Sequence, residues 1–186
     1  MKFKKENLKV KVRNNNRKFS ILDIFRVEGK VYFIQLLINL VIPVGGGALV
    51  GYLNKNSFEV YKSLEKPFFS PQPKVFPIAW TILYILMGIA AYRVYMKNKI
   101  KGLNNDGYFY YIIQLICNFT WTFIFFKFRL YGLSFLWIIV IITLVIIVTF
   151  KFLKVDKIAT VLMIPYIIWL AFAGVLNYFI WMLNEM

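Results

Sequence analysis

The sequence predicts an all-α integral membrane protein built as a bundle of five transmembrane helices. Hydrophobic residues make up 60% of its 186 residues and aromatic residues 19%, more than a soluble domain carries. An apolar segment of about 20 residues crosses the ~30 Å hydrocarbon core of a bilayer. Such segments occur at about residues 31–53, 78–96, 108–126, 132–150 and 158–183. The loops are too short for another domain, so residues 31–184 form one transmembrane domain behind a basic tail at residues 1–30.

The distribution of basic residues predicts the orientation of the helices. Of the 23 Lys and Arg residues, 17 lie in the tail and in the second-to-third and fourth-to-fifth connections, and six lie in the other loops. Because cytoplasmic loops carry the excess of Lys and Arg, the N-terminus is predicted to be cytoplasmic and the C-terminus outside, in the plasma membrane. This clustering at helix ends makes the lipid bilayer, and not nucleic acid, the partner of the net charge of +15.

The N-terminal tail divides into two parts. Residues 1–18 are basic and rich in Asn, which predicts a disordered segment near anionic lipid headgroups. Ser20 and Asp23 have the spacing of a helix N-cap. Ile21, Ile24 and Phe25 then give a short apolar face, which is compatible with a helix lying on the inner leaflet.

The first span contains the sequence Gly47-x-x-x-Gly51. Small residues at this spacing allow two helices to approach closely in a membrane. The partner helix belongs either to a second copy of the chain or to another span of the same chain. The pattern alone does not choose between a homodimer and intrachain packing.

The second span follows a segment rich in proline and aromatic residues. Its prolines predict a stiff, non-helical stretch over residues 67–77. Together with the residues from Asn54 onward it makes a connection of about 24 residues, which is long enough to form a lid. Trp80 and Tyr84 then lie on one helix face with small residues, a pattern typical of either a pocket wall or an interfacial anchor.

The third and fifth spans each carry one stripe of aromatic and amide side chains. Amides in lipid need hydrogen-bond partners, so both stripes must face the inside of the bundle. The stripes comprise Gln114, Asn118, Trp121 and Phe125, and Trp169, Phe172, Ala173, Leu176, Asn177, Ile180, Trp181 and Asn184. The fourth span has no amide and is predicted to face lipid over most of its circumference, including Trp137.

The residues that are missing exclude several functions. The span cores contain no acidic, basic or histidine residue, because Arg93 is assigned to the second-to-third connection. An ion-coupled carrier is therefore not expected. There is no metal-ligand cluster, no nucleophile–base set and no phosphate-binding loop, and the single cysteine, Cys117, lies within a span. No cofactor is required by this sequence.

Three segments resemble the TspO/MBR family, the tryptophan-rich sensory and translocator proteins. Around the second span the matching residues are Lys66, Pro67, Pro71, Val75, Phe76, Trp80, Thr81, Tyr84, Met87 and Gly88. In the third span they are Gln114, Asn118, Trp121, Phe125 and Phe126. In the fifth they are Pro165, Tyr166, Trp169, Phe172, Ala173, Leu176, Asn177, Tyr178, Ile180, Trp181, Leu183 and Asn184. Phe69, Gln72 and Lys74 depart from the family pattern.

The resemblance implies a function as well as a TspO-like fold. It implies an intramembrane cavity that binds a tetrapyrrole of the porphyrin or haem type, or a similar flat hydrophobic ligand, in a sensor, scavenger or transporter. The alternatives are a light-dependent porphyrin-degrading enzyme and a ligand-free regulatory membrane partner. Family precedent also favours a homodimer through the first span. Candidate ligand-binding residues are Phe69, Phe76, Trp80, Tyr84, Asn118, Trp121, Phe172, Ala173 and Leu176.

Overall fold

Five long helices and one short one make up the chain in a computed structural model that describes residues 20–186. The helices are α1 (Phe33–Leu53), α2 (Ser57–Ser63), α3 (Val75–Lys101), α4 (Gly107–Thr122, continued by a π turn at Phe123–Lys127), α5 (Tyr131–Leu153) and α6 (Lys157–Asn184). The five long ones are long and apolar enough to cross a membrane. The predicted five-helix fold is confirmed, and the prediction for residues 1–18 lies outside the described residues.

The second span is longer than its apolar run predicts. Helix α3 begins at Val75 and so includes Pro77, which was expected to belong to the non-helical stretch. A proline is tolerated there because the N–H groups of the first turn have no partner within the helix. At the other end α3 continues to Lys101 and is terminated by Gly102 in the left-handed conformation, with φ of 60°.

The long helices form a ring around one core. Helix α3 packs against α1 and α6, α6 packs against α5, and α5 packs against α4, which makes a smaller contact with α1 that closes the ring. The core is formed by apolar residues from α3, α4, α5 and α6. Helix α1 is the least enclosed, with 17% of its most apolar stretch buried. We name the two ends of the ring after features that lie there. The α2 end is the one at which helix α2 (Ser57–Ser63) lies, and the Arg93 end is the opposite one, toward the C-terminus of α3.

Glycines let α1 lie directly against its neighbours. A Cβ at Gly47 would overlap the ring of Tyr84 on α3, and a Cβ at Gly46 would lie 2.5 Å from Phe119 on α4. Gly51 has open space around it. The structure thus uses Gly47 for packing within the chain.

We expect Gly47→Leu to lower the free energy of unfolding by about 1–3 kcal/mol, because the added side chain displaces the Tyr84 ring. The matched control is Gly45→Leu, since a Cβ at Gly45 meets only Val41 of its own helix, at 3.7 Å. Unfolding in mixed detergent micelles measures both variants. Equal stability of the two would contradict this packing role.

The Arg93 end is held together by a buried ion pair. Arg93 is 3% exposed, and its guanidinium lies 2.9 Å from the Asp156 carboxylate, which also pairs with Lys97 at 3.1 Å. Asp156 in turn caps α6 by accepting from two backbone N–H groups of its first turn. The assignment of Arg93 to a loop was therefore wrong. The linear sequence does not show that Arg93 is buried inside the bundle by pairing with Asp156, a carboxylate 63 residues away.

Arg93 also anchors the segment that precedes α1. Its Nη1 donates to the backbone carbonyls of Asp23, Ile24 and Arg26, each at 2.8 Å. The predicted Ser20 N-cap is confirmed, but it opens a single 3-10 turn at Ile21–Ile24 and not an α-helix. Residues 23–27 of the predicted tail are thus packed against the bundle, whereas Ile21 and Leu22 remain exposed.

Candidate functional site: a cavity at the α2 end

A cavity of about 480 Å³ lies inside the ring at the α2 end. Helices α1, α3, α4 and α6 form its walls, and the connection that contains α2 covers it. Most of its lining is apolar and much of that is aromatic. The lining residues are Val44, Gly47, Ala48, Val50, Gly51, Lys55, Ser57, Phe58, Tyr61, Pro73, Phe76, Pro77, Trp80, Thr81, Tyr84, Trp121, Thr122, Phe125, Phe126, Ala173, Leu176, Asn177 and Ile180.

The mouth of the cavity lies between the neighbouring ends of α1 and α3. Lining residues that are exposed mark it: Ala48, Gly51, Lys55, Phe58, Pro77 and Thr81. The inner lining residues Tyr84, Phe125 and Leu176 are buried. A cavity of this size and composition is in the range that holds a drug-sized ligand, which is bound mainly through apolar contact.

Six of the nine predicted site residues line this cavity. They are Phe76, Trp80, Tyr84, Trp121, Ala173 and Leu176. Trp80 stacks on Tyr84 with ring centroids 5.4 Å apart, and Trp121 stacks on Phe125 at 5.0 Å. These two stacked pairs present aromatic surfaces from α3 and α4 to the same space.

Three predicted residues lie elsewhere. Asn118 is buried behind the wall, where it accepts from the Tyr84 hydroxyl at 2.9 Å and donates to the Tyr166 hydroxyl at 3.1 Å. It lines only a small recess of about 20 Å³ next to the main cavity. Phe69 packs on Phe172, with ring centroids 6.4 Å apart, and neither residue lines the main cavity. The amide was expected to face the ligand, but helix packing uses it instead.

Polar side chains in the wall are bonded to one another. The Trp121 indole N–H lies 3.2 Å from both the Asn177 side-chain oxygen and the Ser134 carbonyl. The Asn177 amide also donates to the Tyr131 carbonyl and accepts from the Ser134 hydroxyl. Because these groups already have partners, a ligand meets an apolar and aromatic wall whose shape is fixed by hydrogen bonds behind it.

The connection over the cavity is tied down at both ends. The Tyr61 hydroxyl donates to the Pro71 carbonyl at 3.1 Å, and the Tyr61 ring packs edge-on against Phe76. Glu65 and Asn184 exchange two hydrogen bonds between backbone and side chain, which hold the connection to the end of α6. Burial raises the pKa of the Tyr61 phenol above its ordinary value. Tyr61 therefore stays neutral in the lining.

Two further residues, Trp137 and Gly88, lie where helices contact one another. Trp137 was expected to face lipid, but it is half-buried and its indole N–H donates to the Cys117 carbonyl at 2.9 Å. Gly88, one of the residues that match the family pattern, packs against α1, since a Cβ there would lie 2.6 Å from the Asn39 carbonyl. Both residues serve contacts between helices.

Sequence reasoning missed the contribution of α1 to the cavity wall. Val44, Gly47 and Ala48 line the cavity, although the residues of α1 have no amphipathic pattern that separates the cavity face from the lipid face. Both faces are apolar, so periodicity carries no signal there. The small residues of this span could have indicated the cavity wall, since they permit close approach by a helix or by a ligand.

The arrangement defines a class of protein: a helical membrane protein with an aromatic-lined cavity inside its bundle. The sequence model of the TspO/MBR family matches residues 39–182 of this chain. The chain belongs to the TspO/MBR family.

Relatives in this family come from distant organisms. The chain is 40% identical to Protein CrtK of Rhodobacter capsulatus over 132 residues, which cover 67% of this chain and 78% of that protein. It is 32% identical to the Tryptophan-rich protein TspO of Chlorobaculum tepidum over 160 residues, or 83% of this chain and 98% of the relative. It is 29% identical to the Translocator protein of Homo sapiens over 144 residues, or 75% and 84%.

Proposed function

We propose that the protein binds a tetrapyrrole of the porphyrin or haem type, or a similar flat hydrophobic ligand, in the cavity at the α2 end. In this role it acts as a sensor, scavenger or transporter of that ligand. The observation that carries the proposal is the pairing of aromatic surfaces from α3 and α4 around one apolar space of about 480 Å³. Relatives named Translocator protein and Tryptophan-rich protein TspO support this role.

The physical basis is stacking combined with apolar burial. Burying a flat conjugated ring system stabilises the complex by about 25 cal/mol for each Å² of apolar surface removed from water. Each well-placed aromatic neighbour adds about 0.5–1.5 kcal/mol beyond that contribution. Ala173, on α6, has a small side chain that leaves room in the lining for the macrocycle.

A fluorescence titration tests this function. Trp80 and Trp121 line the cavity, so protoporphyrin IX should quench the tryptophan fluorescence saturably, with one ligand bound per chain. Porphyrin that merely partitions into the detergent micelles should also quench the tryptophans, but this quenching rises without saturation. The two kinds of quenching can therefore be distinguished. Non-saturable quenching in well-folded protein would contradict the proposed function.

The proposal also includes the placement of the protein in the membrane. We propose that the Arg93 end is cytoplasmic, that the mouth opens toward the outside of the plasma membrane, and that two copies associate through α1. Thiol labelling on intact cells tests the orientation after Cys117 is replaced. An impermeant reagent should label Glu59→Cys and not Asn104→Cys, both of which are exposed and lie at opposite ends. The reverse labelling would overturn the orientation.

A further inference from the structure

Among residues 20–186, Lys55 is the one charged residue that lines the cavity. It lies in the turn between α1 and α2, at the mouth, and it is exposed. Within residues 20–186 its ammonium group makes no ion pair, whereas the acids at the opposite end are all paired with Lys or Arg. No acidic group in the described part of the chain therefore neutralises this positive charge at the mouth.

The other basic residues at this end do not replace Lys55. The Lys66 ammonium is occupied by the backbone carbonyls of Tyr61, Lys62 and Leu64. Lys62, Lys74, Lys127 and Arg129 lie outside the lining. A ligand in the cavity that extends an acidic group toward solvent thus meets Lys55 before any other positive charge.

The neutral polar groups of the lining offer a ligand little. The Thr81 hydroxyl donates to the Pro77 carbonyl, the Tyr84 hydroxyl donates to Asn118, and Asn177 is bonded to Trp121. Because these groups already bond within the protein, few hydrogen bonds inside the cavity are available to recognise a ligand. Charge at the mouth is the strongest polar feature left to distinguish one apolar ring system from another.

We propose that Lys55 selects ligands that carry a carboxylate at the edge of an otherwise apolar ring system. The inference rests on the proposed function: the rings lie among the aromatic side chains and the carboxylate lies at the mouth. The alkyl stem of a lysine packs along apolar surface while its ammonium group stays at the wet edge. There it forms a charge-assisted hydrogen bond, which is stronger beside a low-dielectric wall than in open water.

The test compares one macrocycle in two charge states. Protoporphyrin IX carries two propionates, and its dimethyl ester carries none. In a non-ionic detergent, Lys55→Met should weaken binding of the acid by about three- to tenfold and leave binding of the ester unchanged. Lys55→Arg should keep the affinity for the acid, since it keeps the charge. Lys62→Met is the matched control, because Lys62 is exposed on α2 but does not line the cavity.

The outcomes separate this inference from the function on which it rests. Equal losses for acid and ester in Lys55→Met would overturn it, because they would show a role for the alkyl stem and not for the charge. An unchanged affinity for the acid in Lys55→Met would overturn it while the cavity remained a porphyrin site. If wild-type protein binds neither compound saturably, the proposed function itself fails.

Discussion

Ala173→Phe should reduce the affinity for protoporphyrin IX by at least about tenfold, which corresponds to ~1.4 kcal/mol. Ala173 lines both the main cavity and the recess beside it. A phenyl group on α6 at this position occupies the space that the macrocycle needs next to Trp80. The loss should exceed that of removing one stacking partner by Trp121→Leu, which we expect to be several-fold.

The control for this substitution is on the same helix. Ala171 is exposed and lies on the lipid side of α6, so Ala171→Phe adds the same volume without entering the cavity. Tryptophan quenching gives the affinity of each variant, and size-exclusion chromatography in detergent reports whether it is folded. Wild-type affinity of a folded Ala173→Phe protein would contradict the position of the ligand.

Arg93→Leu should lower the free energy of unfolding by about 3–5 kcal/mol, the range found when one partner of a buried ion pair is removed. The substitution deletes the ion pair with Asp156 and the three hydrogen bonds that hold the segment before α1. It also leaves the Asp156 carboxylate, which is 2% exposed, with Lys97 as its only cationic partner among the described residues. Unfolding in mixed micelles measures the change.

Lys99→Leu is the matched control, because Lys99 is exposed on the same helix and makes no ion pair within residues 20–186. It should change the stability by no more than about 0.5 kcal/mol. If Arg93→Leu proves as stable as Lys99→Leu, the network at this end does not hold the fold together.

The same ion pair predicts a loss of stability in acid. Burial raises the pKa of the Asp156 carboxyl, but Arg93 and Lys97 outweigh that effect and hold it below its ordinary value. A carboxyl whose folded pKa is lowered stabilises the fold above its unfolded pKa of about 3.9, and this stability is lost as the pH falls through the folded value. Stability should therefore fall below about pH 4, and by less in Asp156→Asn, which has no carboxyl to protonate.

The spans were predictable from sequence because an apolar run of about 20 residues has one ordinary explanation. The faces of α4 and α6 were predictable too, since Trp121 and Leu176 lie on stripes that include amides, and amides must avoid lipid. The order of helices around the ring was not predictable, because no local sequence pattern specifies which transmembrane helices are neighbours.

The misplaced residues share one physical cause. Asn118, Trp137 and Arg93 were judged by residue type and by position along their own span. Their actual roles depend on groups far away in sequence: the hydroxyls of Tyr84 and Tyr166 for Asn118, the Cys117 carbonyl for Trp137, and a carboxylate in the last connection for Arg93. A single sequence does not contain those pairings.

The most direct test of the central claim is to load the protein with protoporphyrin IX, remove free ligand in gentle detergent, and measure the porphyrin retained per chain by absorption and mass spectrometry. Wild-type protein and Ala171→Phe should retain about one porphyrin per chain, and folded Ala173→Phe should retain almost none. No retained porphyrin in wild-type protein, or equal retention in all three proteins, would contradict a tetrapyrrole site in this cavity.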